Sequence, residues 1–165
     1  MSESYRVRIA KDTLVFSAAH FITYGGNICE RLHGHNYRVA AEVHGLLDEN
    51  HYVIDYIALR DDLKQLVDEL DHRMLLPTGH PQIKVTADAR EVLVTFEERR
   101  WVFPRGDCAI LPIPNTTTEL LARHLGLQLR ERVAARTPGL PTRLVVEVDD
   151  CFGQVAVWDW GGSDK

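Results

Sequence analysis

From Tyr5 to Ile9, and again from Thr13 to His20, apolar and polar residues alternate with the period of two that a half-buried strand requires. The interruption at Ala10-Lys11-Asp12 predicts a kink or bulge within one strand. A second alternating set, His33, His35, Tyr37, Val39, Ala41 and Val43, predicts a long partner strand. Tyr24-Gly25-Gly26-Asn27 has loop chemistry, and Gly45-Leu46-Leu47-Asp48-Glu49-Asn50 turns the chain back, so the unit reads as a long antiparallel hairpin. The spacing then changes. Tyr56, Leu59, Leu63, Leu66, Val67 and Leu70 form a stripe with helical period, and Asp55 stands where its carboxylate can cap the first-turn amides.

Residues 80–112 interrupt this plan with strand-like runs, Glu91 to Phe96 and Arg100 to Phe103, around the polar turn Glu97-Glu98-Arg99. Cys108 to Leu111 predicts a third strand. Thr116 and Glu119 have capping-box spacing ahead of a second helix, whose buried stripe is Leu121, Leu125, Leu129 and Val133. Pro138-Gly139-Leu140-Pro141 ends it, and Leu144 to Val148 with Val155 to Trp158 predict a closing hairpin. The order predicts an α+β domain spanning residues 1–165: an antiparallel sheet, two helices on one face, and an inserted β-hairpin. Two open sheet edges would be removed by joining subunits into a barrel.

Composition narrows the partners. At 165 residues, 45% hydrophobic and 26% charged, the chain is an ordinary globular protein with a real core. A formal charge of −5 argues against a dedicated nucleic-acid surface. No apolar run reaches the length of a membrane span, and Met1-Ser2-Glu3 begins no signal peptide. Cys29, Cys108 and Cys151 are odd in number and unrelated in spacing, which predicts a reduced, cytoplasmic protein.

Candidate chemistry sits in Cys29-Glu30-Arg31-Leu32-His33-Gly34-His35. In an extended segment His33 and His35 project from one face, and His20 shares the buried parity of Leu14, Phe16 and Ala18. Three neutral imidazoles from neighbouring strands make a three-coordinate zinc site with an open fourth position, the arrangement of catalytic zinc. Cys29 could instead close a structural site, although no second Cys-X-X-Cys or His pair accompanies it. Asp71-His72, after the first helix, is either a surface pair or an oriented proton carrier. A cupin-like metal oxygenase also uses His-X-His, but it requires a nearby Glu and a later His, whereas Glu42 comes late and His20 precedes the pair.

With these pieces in place the chain resembles the 6-pyruvoyl-tetrahydropterin synthase and 6-carboxytetrahydropterin synthase family. The likeness rests on Phe16-Ser17-Ala18-Ala19-His20, Cys29 to Tyr37, Val53-Ile54-Asp55-Tyr56, Leu70-Asp71-His72, Asn115 to Glu119, and Gly153 to Trp158, in that order. It implies the T-fold, with sheets joined into oligomeric barrels, commonly hexamers of stacked trimers with active sites between subunits. It also implies zinc on His20, His33 and His35, acid–base work by Cys29, Asp71 and His72, and a pterin substrate bound by Thr117, Thr118 and a carboxylate of the last hairpin. Ungapped, that carboxylate falls on Asp150, with Glu147 in reserve on the other face.

The four-residue step from Cys29 to His33 looks like the queuosine-pathway carboxy enzymes. The implied reaction converts 7,8-dihydroneopterin triphosphate to 6-carboxy-5,6,7,8-tetrahydropterin with release of acetaldehyde and triphosphate. A pyruvoyl product from the same substrate is the alternative, and a pterin-binding paralogue without turnover is a third possibility. A folate-linked variant of the family puts Glu at the Cys position, and here Glu30 follows Cys29 directly.

Overall fold

The strand alternation at the start of the chain becomes two strands that share one partner. A computed structural model describes residues 3–150 and 152–161, so Cys151 lies outside the described residues. Strand β1 (Tyr5–Ile9) pairs with the far half of the long β5 (His33–Gly45), and β2 (Val15–His20) pairs with its near half. Between them the chain turns over Ala10–Leu14, with the Leu14 amide donating to the Lys11 carbonyl at 2.9 Å. The predicted kink is therefore real. A short ribbon, β3 (Thr23–Tyr24) and β4 (Ile28–Cys29), joins β2 to β5.

Helix α1 (Tyr56–Asp68) starts where the Asp55 carboxylate accepts from the Ile57 and Ala58 amides at 2.7 and 3.3 Å. Such a cap is worth about 1 kcal/mol. Its Leu59, Leu63, Leu66 and Val67 are fully buried against the sheet, and cutting any one of the leucines to alanine costs about 2–5 kcal/mol. Helix α2 (Thr118–Arg136) packs beside it, in contact with β11 (Arg143–Asp149) and β12 (Val155–Trp160). Gly126 is required there, because a Cβ would stand 2.1 Å from the Trp158 ring.

Three expectations need correction. The main sheet is mixed rather than antiparallel: β6 (Arg73–Pro77) runs parallel to β2, and β10 (Cys108–Leu111) runs parallel to β6. Met74, Leu75, Leu76 and Pro77 are all buried, so β6 has apolar side chains on both faces and no alternation to betray it. The insertion is a three-stranded meander, β7 (Lys84–Ala87), β8 (Glu91–Phe96) and β9 (Arg99–Pro104), not a hairpin. The capping box is absent: Thr116 is wholly buried, its hydroxyl donating to the Phe21 carbonyl, and Thr117 takes the cap position without a side-chain bond.

The main sheet runs β10-β6-β2-β5-β11-β12, with β1 on the far half of β5. One face, carrying Leu14, Phe16, Ala18, Tyr37 and Leu75, packs on both helices. On the other side Met74 and Leu76 meet Val92, Val94 and Phe96 of the meander, together with Phe21, Cys29 and Cys108. Among the described residues, no helix is long and apolar enough to cross a membrane.

Candidate active site

His20 and His33 are direct partners in the β2–β5 ladder, and Ala18 faces His35. The three imidazoles therefore meet at the rim of the helix-facing core, with ring centroids 4.7, 5.2 and 4.9 Å apart. One ligand nitrogen from each lies within 4.8 Å of the others, so the group can hold a metal ion. Gly34 between the histidines is fixed by close approach, since a Cβ would lie 2.9 Å from the Ala18 carbonyl oxygen.

Backbone carbonyls select the tautomers. The Nδ1–H of His20 donates to Thr116 at 2.9 Å, and that of His33 donates to Arg31 at 2.9 Å. Both leave Nε2 as the lone-pair nitrogen, which is how metal-binding imidazoles are usually oriented. The donor set fits zinc: three imidazoles, two of them backed by carbonyl acceptors. Burial, reinforced by the neighbouring His33 and His35, pushes His20 down to about 4 against the opposing pull of the Thr116 bond. It is thus unprotonated at neutral pH. The Tyr37 hydroxyl lies 3.3 Å from His20 Nε2, and its ring stacks on Phe16 at 4.5 Å. Burial first, then Asp150, raises the phenol, so it stays a neutral donor.

Thr118 donates its hydroxyl to Asp150 Oδ2 at 3.0 Å. The other oxygen, Oδ1, is sealed from solvent and has no hydrogen-bond partner among the described residues. Asp150 lines a cavity with His35, Arg38 and Phe152, close enough to the triad to act on the charge of His20. Glu147 is elsewhere, paired with Arg8. Thr117 is half-buried at the helix start.

The remaining expected residues are divided. Asp71 accepts from the Ser17 amide at 2.8 Å and from His72 Nδ1 at 2.9 Å, and His72 donates its own amide to the Ser17 carbonyl at 2.7 Å. The Ser17 bond above all, then His72, holds the Asp71 carboxyl below its ordinary value. His72 has a left-handed backbone, φ 56°, and its side chain is 82% exposed. It opens into a cavity shared with Ser17, Ala19, Asn36, Met74 and Phe103. The side chains of Ser17, Ala19 and Asn36 alternate away from the triad, although His35 of the triad borders the same cavity.

Cys29 is buried in the second core, its thiol donating to the Glu30 carbonyl at 3.5 Å. Burial pushes that thiol up, while the Arg99 guanidinium pulls it partly back. Glu30, the next residue, points the other way: its Oε2 stands 3.9 Å from His33 Nε2. Sequence reasoning missed Thr116, Tyr37 and Arg99. Tyr37 had a signal, the shared parity with His33 and His35, whereas the other two arrive from distant segments.

The comparisons agree with this geometry. A sequence profile for 6-pyruvoyl tetrahydropterin synthase matches residues 9–156. A Methanocaldococcus jannaschii protein that carries the provisional name 6-carboxy-5,6,7,8-tetrahydropterin synthase is 31% identical over 88% of this chain and 89% of its own. The Plasmodium falciparum 6-pyruvoyl tetrahydropterin synthase structure superposes with a TM-score of 0.86 at 29% identity, covering 96% of this chain and 98% of that one. The Plasmodium vivax enzyme, in a form with a catalytic glutamate replaced by alanine, gives 0.87 at 25% identity over the same shares. The profile and the relatives each span most of the chain, and the chain belongs to the 6-pyruvoyl tetrahydropterin synthase family.

Proposed function

We propose that the protein is a zinc-dependent 6-carboxy-5,6,7,8-tetrahydropterin synthase. Its substrates are 7,8-dihydroneopterin triphosphate and one water, and acetaldehyde and triphosphate leave. The observation that carries this reading is that His35 of the triad and Asp150 line one cavity. On one side stands a triad in which His20 and His33 keep Nε2 free of a proton; on the other is an acid whose Oδ1 has no hydrogen-bond partner among the described residues. An aminopyrimidine edge offers two adjacent N–H donors, the complement of a carboxylate. Asp150 binds that edge, Thr118 fixes the rotamer of Asp150, and Thr117 closes the same end of the pocket.

When bound, zinc supplies the positive charge that stabilises an alkoxide on the substrate side chain. The chain itself must move protons. Cys29 is one acceptor, and as a thiolate it would need its loop to turn the sulfur toward substrate. Asp71 orients His72 through Nδ1, leaving Nε2 to return the proton. The dyad is tied to Ser17, whose side chain alternates away from the triad, which favours completion of the site by a neighbouring subunit's dyad. This favours a homo-oligomer, a hexamer built from trimers, with sheets closed into a barrel and sites between subunits.

One observation favours a second reading. Glu30 is the acid beside the triad, and the Plasmodium vivax relative is described as having a catalytic glutamate. With Glu30 as base the same substrate would part differently, and the pyruvoyl product remains the other branch. Incubating wild type, Cys29→Ala and Glu30→Gln with dihydroneopterin triphosphate, then identifying products by mass, tests all three. The carboxy reading expects 6-carboxytetrahydropterin from wild type and from Glu30→Gln but not from Cys29→Ala. A product lost only with Glu30→Gln would replace it.

A further inference from the structure

The insertion reaches the acid–base loop at a defined point. Its β8–β9 turn, with Glu97 in a left-handed conformation at φ 50°, presents Arg99 at the start of β9. One guanidinium nitrogen of Arg99 donates both to the Cys29 carbonyl at 2.9 Å and to the Glu30 carbonyl at 2.8 Å. Two residues further on, Trp101 stacks on Phe21 with centroids 4.7 Å apart, just after the metal ligand His20. Elsewhere the loop between His20 and His33 is held by the two-residue ribbon, one Glu30–Ile22 backbone bond, Thr116 on the Phe21 carbonyl, and Asn115 and His80 on Thr23. The meander thus grips both ends of that loop, and Arg99 is its only side-chain hydrogen bond to the Cys29-Glu30 backbone among the described residues.

We propose that Arg99 is a positioning residue: by holding two consecutive carbonyls it sets the twist of the Cys29-Glu30 peptide and so decides which side chain faces the triad. Consecutive carbonyls of an extended strand point to opposite sides, so one nitrogen reaching both marks the turn by which the chain leaves β4 after Cys29. With the clamp closed, Glu30 faces His33 and the Cys29 sulfur is held in the second core. A rigid, permanently charged guanidinium suits this work, since little side-chain freedom is lost per bond formed. Its charge also lowers the thiol that burial has raised. The catalytic consequence rests on the function proposed above, whereas the clamp itself rests on these contacts alone.

The test separates the two. The zinc-loaded wild type, R99A and the milder R99K are treated with iodoacetamide, and alkylation of Cys29 and Cys108 is followed peptide by peptide. Both thiols are buried in the same core, so Cys108 reports general loosening. R99A is expected to raise Cys29 alkylation about tenfold and R99K about threefold, with Cys108 unchanged, as local opening exposes one thiol only. Where triphosphate release is measurable, R99A shifts kcat with KM within about threefold, upward where the freed Cys29 is the base and about tenfold downward where the displaced Glu30 is, because moving a reacting group leaves binding intact. Unchanged Cys29 reactivity in both variants, or a parallel rise at Cys108, overturns the clamp. Failure of wild type to turn over any dihydropterin triphosphate overturns the proposed function instead, and the alkylation result still decides the role of Arg99.

Discussion

Replacing Asp150 with asparagine should push stability and affinity in opposite directions. Oδ2 is held by Thr118, while Oδ1 is buried with no hydrogen-bond partner among the described residues. An unsatisfied buried acceptor costs about 1–3 kcal/mol, more when it carries charge. Asp150→Asn removes the charge and keeps the shape, so the apoprotein should gain about 1 kcal/mol or more in urea unfolding. The same change removes the acceptor for one of two donors on a bound pterin and weakens the other bond. Losing charge assistance on two such bonds amounts to about 3 kcal/mol, or about a hundredfold in KM. The assay pairs urea midpoints with KM, or with quenching of pterin fluorescence on binding, and bound metal is measured alongside. A KM within threefold of wild type would refute the anchor. A destabilised apoprotein would refute the idea that Oδ1 awaits a ligand.

Other outcomes follow from single contacts. Gly34→Ala drives a Cβ into the Ala18 backbone at the centre of the triad; it should cost about 1–3 kcal/mol and lower bound metal, read by thermal melts and elemental analysis. Gly126→Ala pushes α2 off the Trp158 ring, with a similar loss of about 1–3 kcal/mol in the melt but metal content retained. The pH dependence is set by His20. Its folded value of about 4 lies below the ordinary 6.5, so the unfolded chain binds the extra proton. The associated stability is complete above pH 6.5 and is lost as pH falls toward 4, a swing of about 3 kcal/mol in the apoprotein. Urea unfolding of metal-free protein at pH 7 and pH 4.5 checks this, and His20→Asn should flatten the difference.

What could be read from sequence was whatever repeats locally. The parity of His33, His35, Tyr37, Val39, Ala41 and Val43 fixed both the face of β5 and the convergence of two imidazoles. Asp55 and its leucine stripe marked α1 for the same reason. Strand β6 escaped because both its faces are covered, so Met74 to Pro77 carries no period. Thr116 looked like a cap because spacing says nothing of burial; its hydroxyl was taken by Phe21 and its carbonyl by His20. The division of Cys29 from Glu30, and of Asp71-His72 from the triad, depends on which side of the sheet each loop emerges. That is settled by Ser17 and Arg99, contacts that span 54 and 70 residues.

The central claim is a metal held by three imidazoles with one position left for substrate. X-ray absorption at the zinc edge of the loaded protein measures that coordination directly. The account predicts three imidazole nitrogens and one further light atom, each at about 2.0–2.1 Å. A sulfur scatterer at about 2.3 Å would mean that Cys29 closes the site, and the catalytic reading would fall.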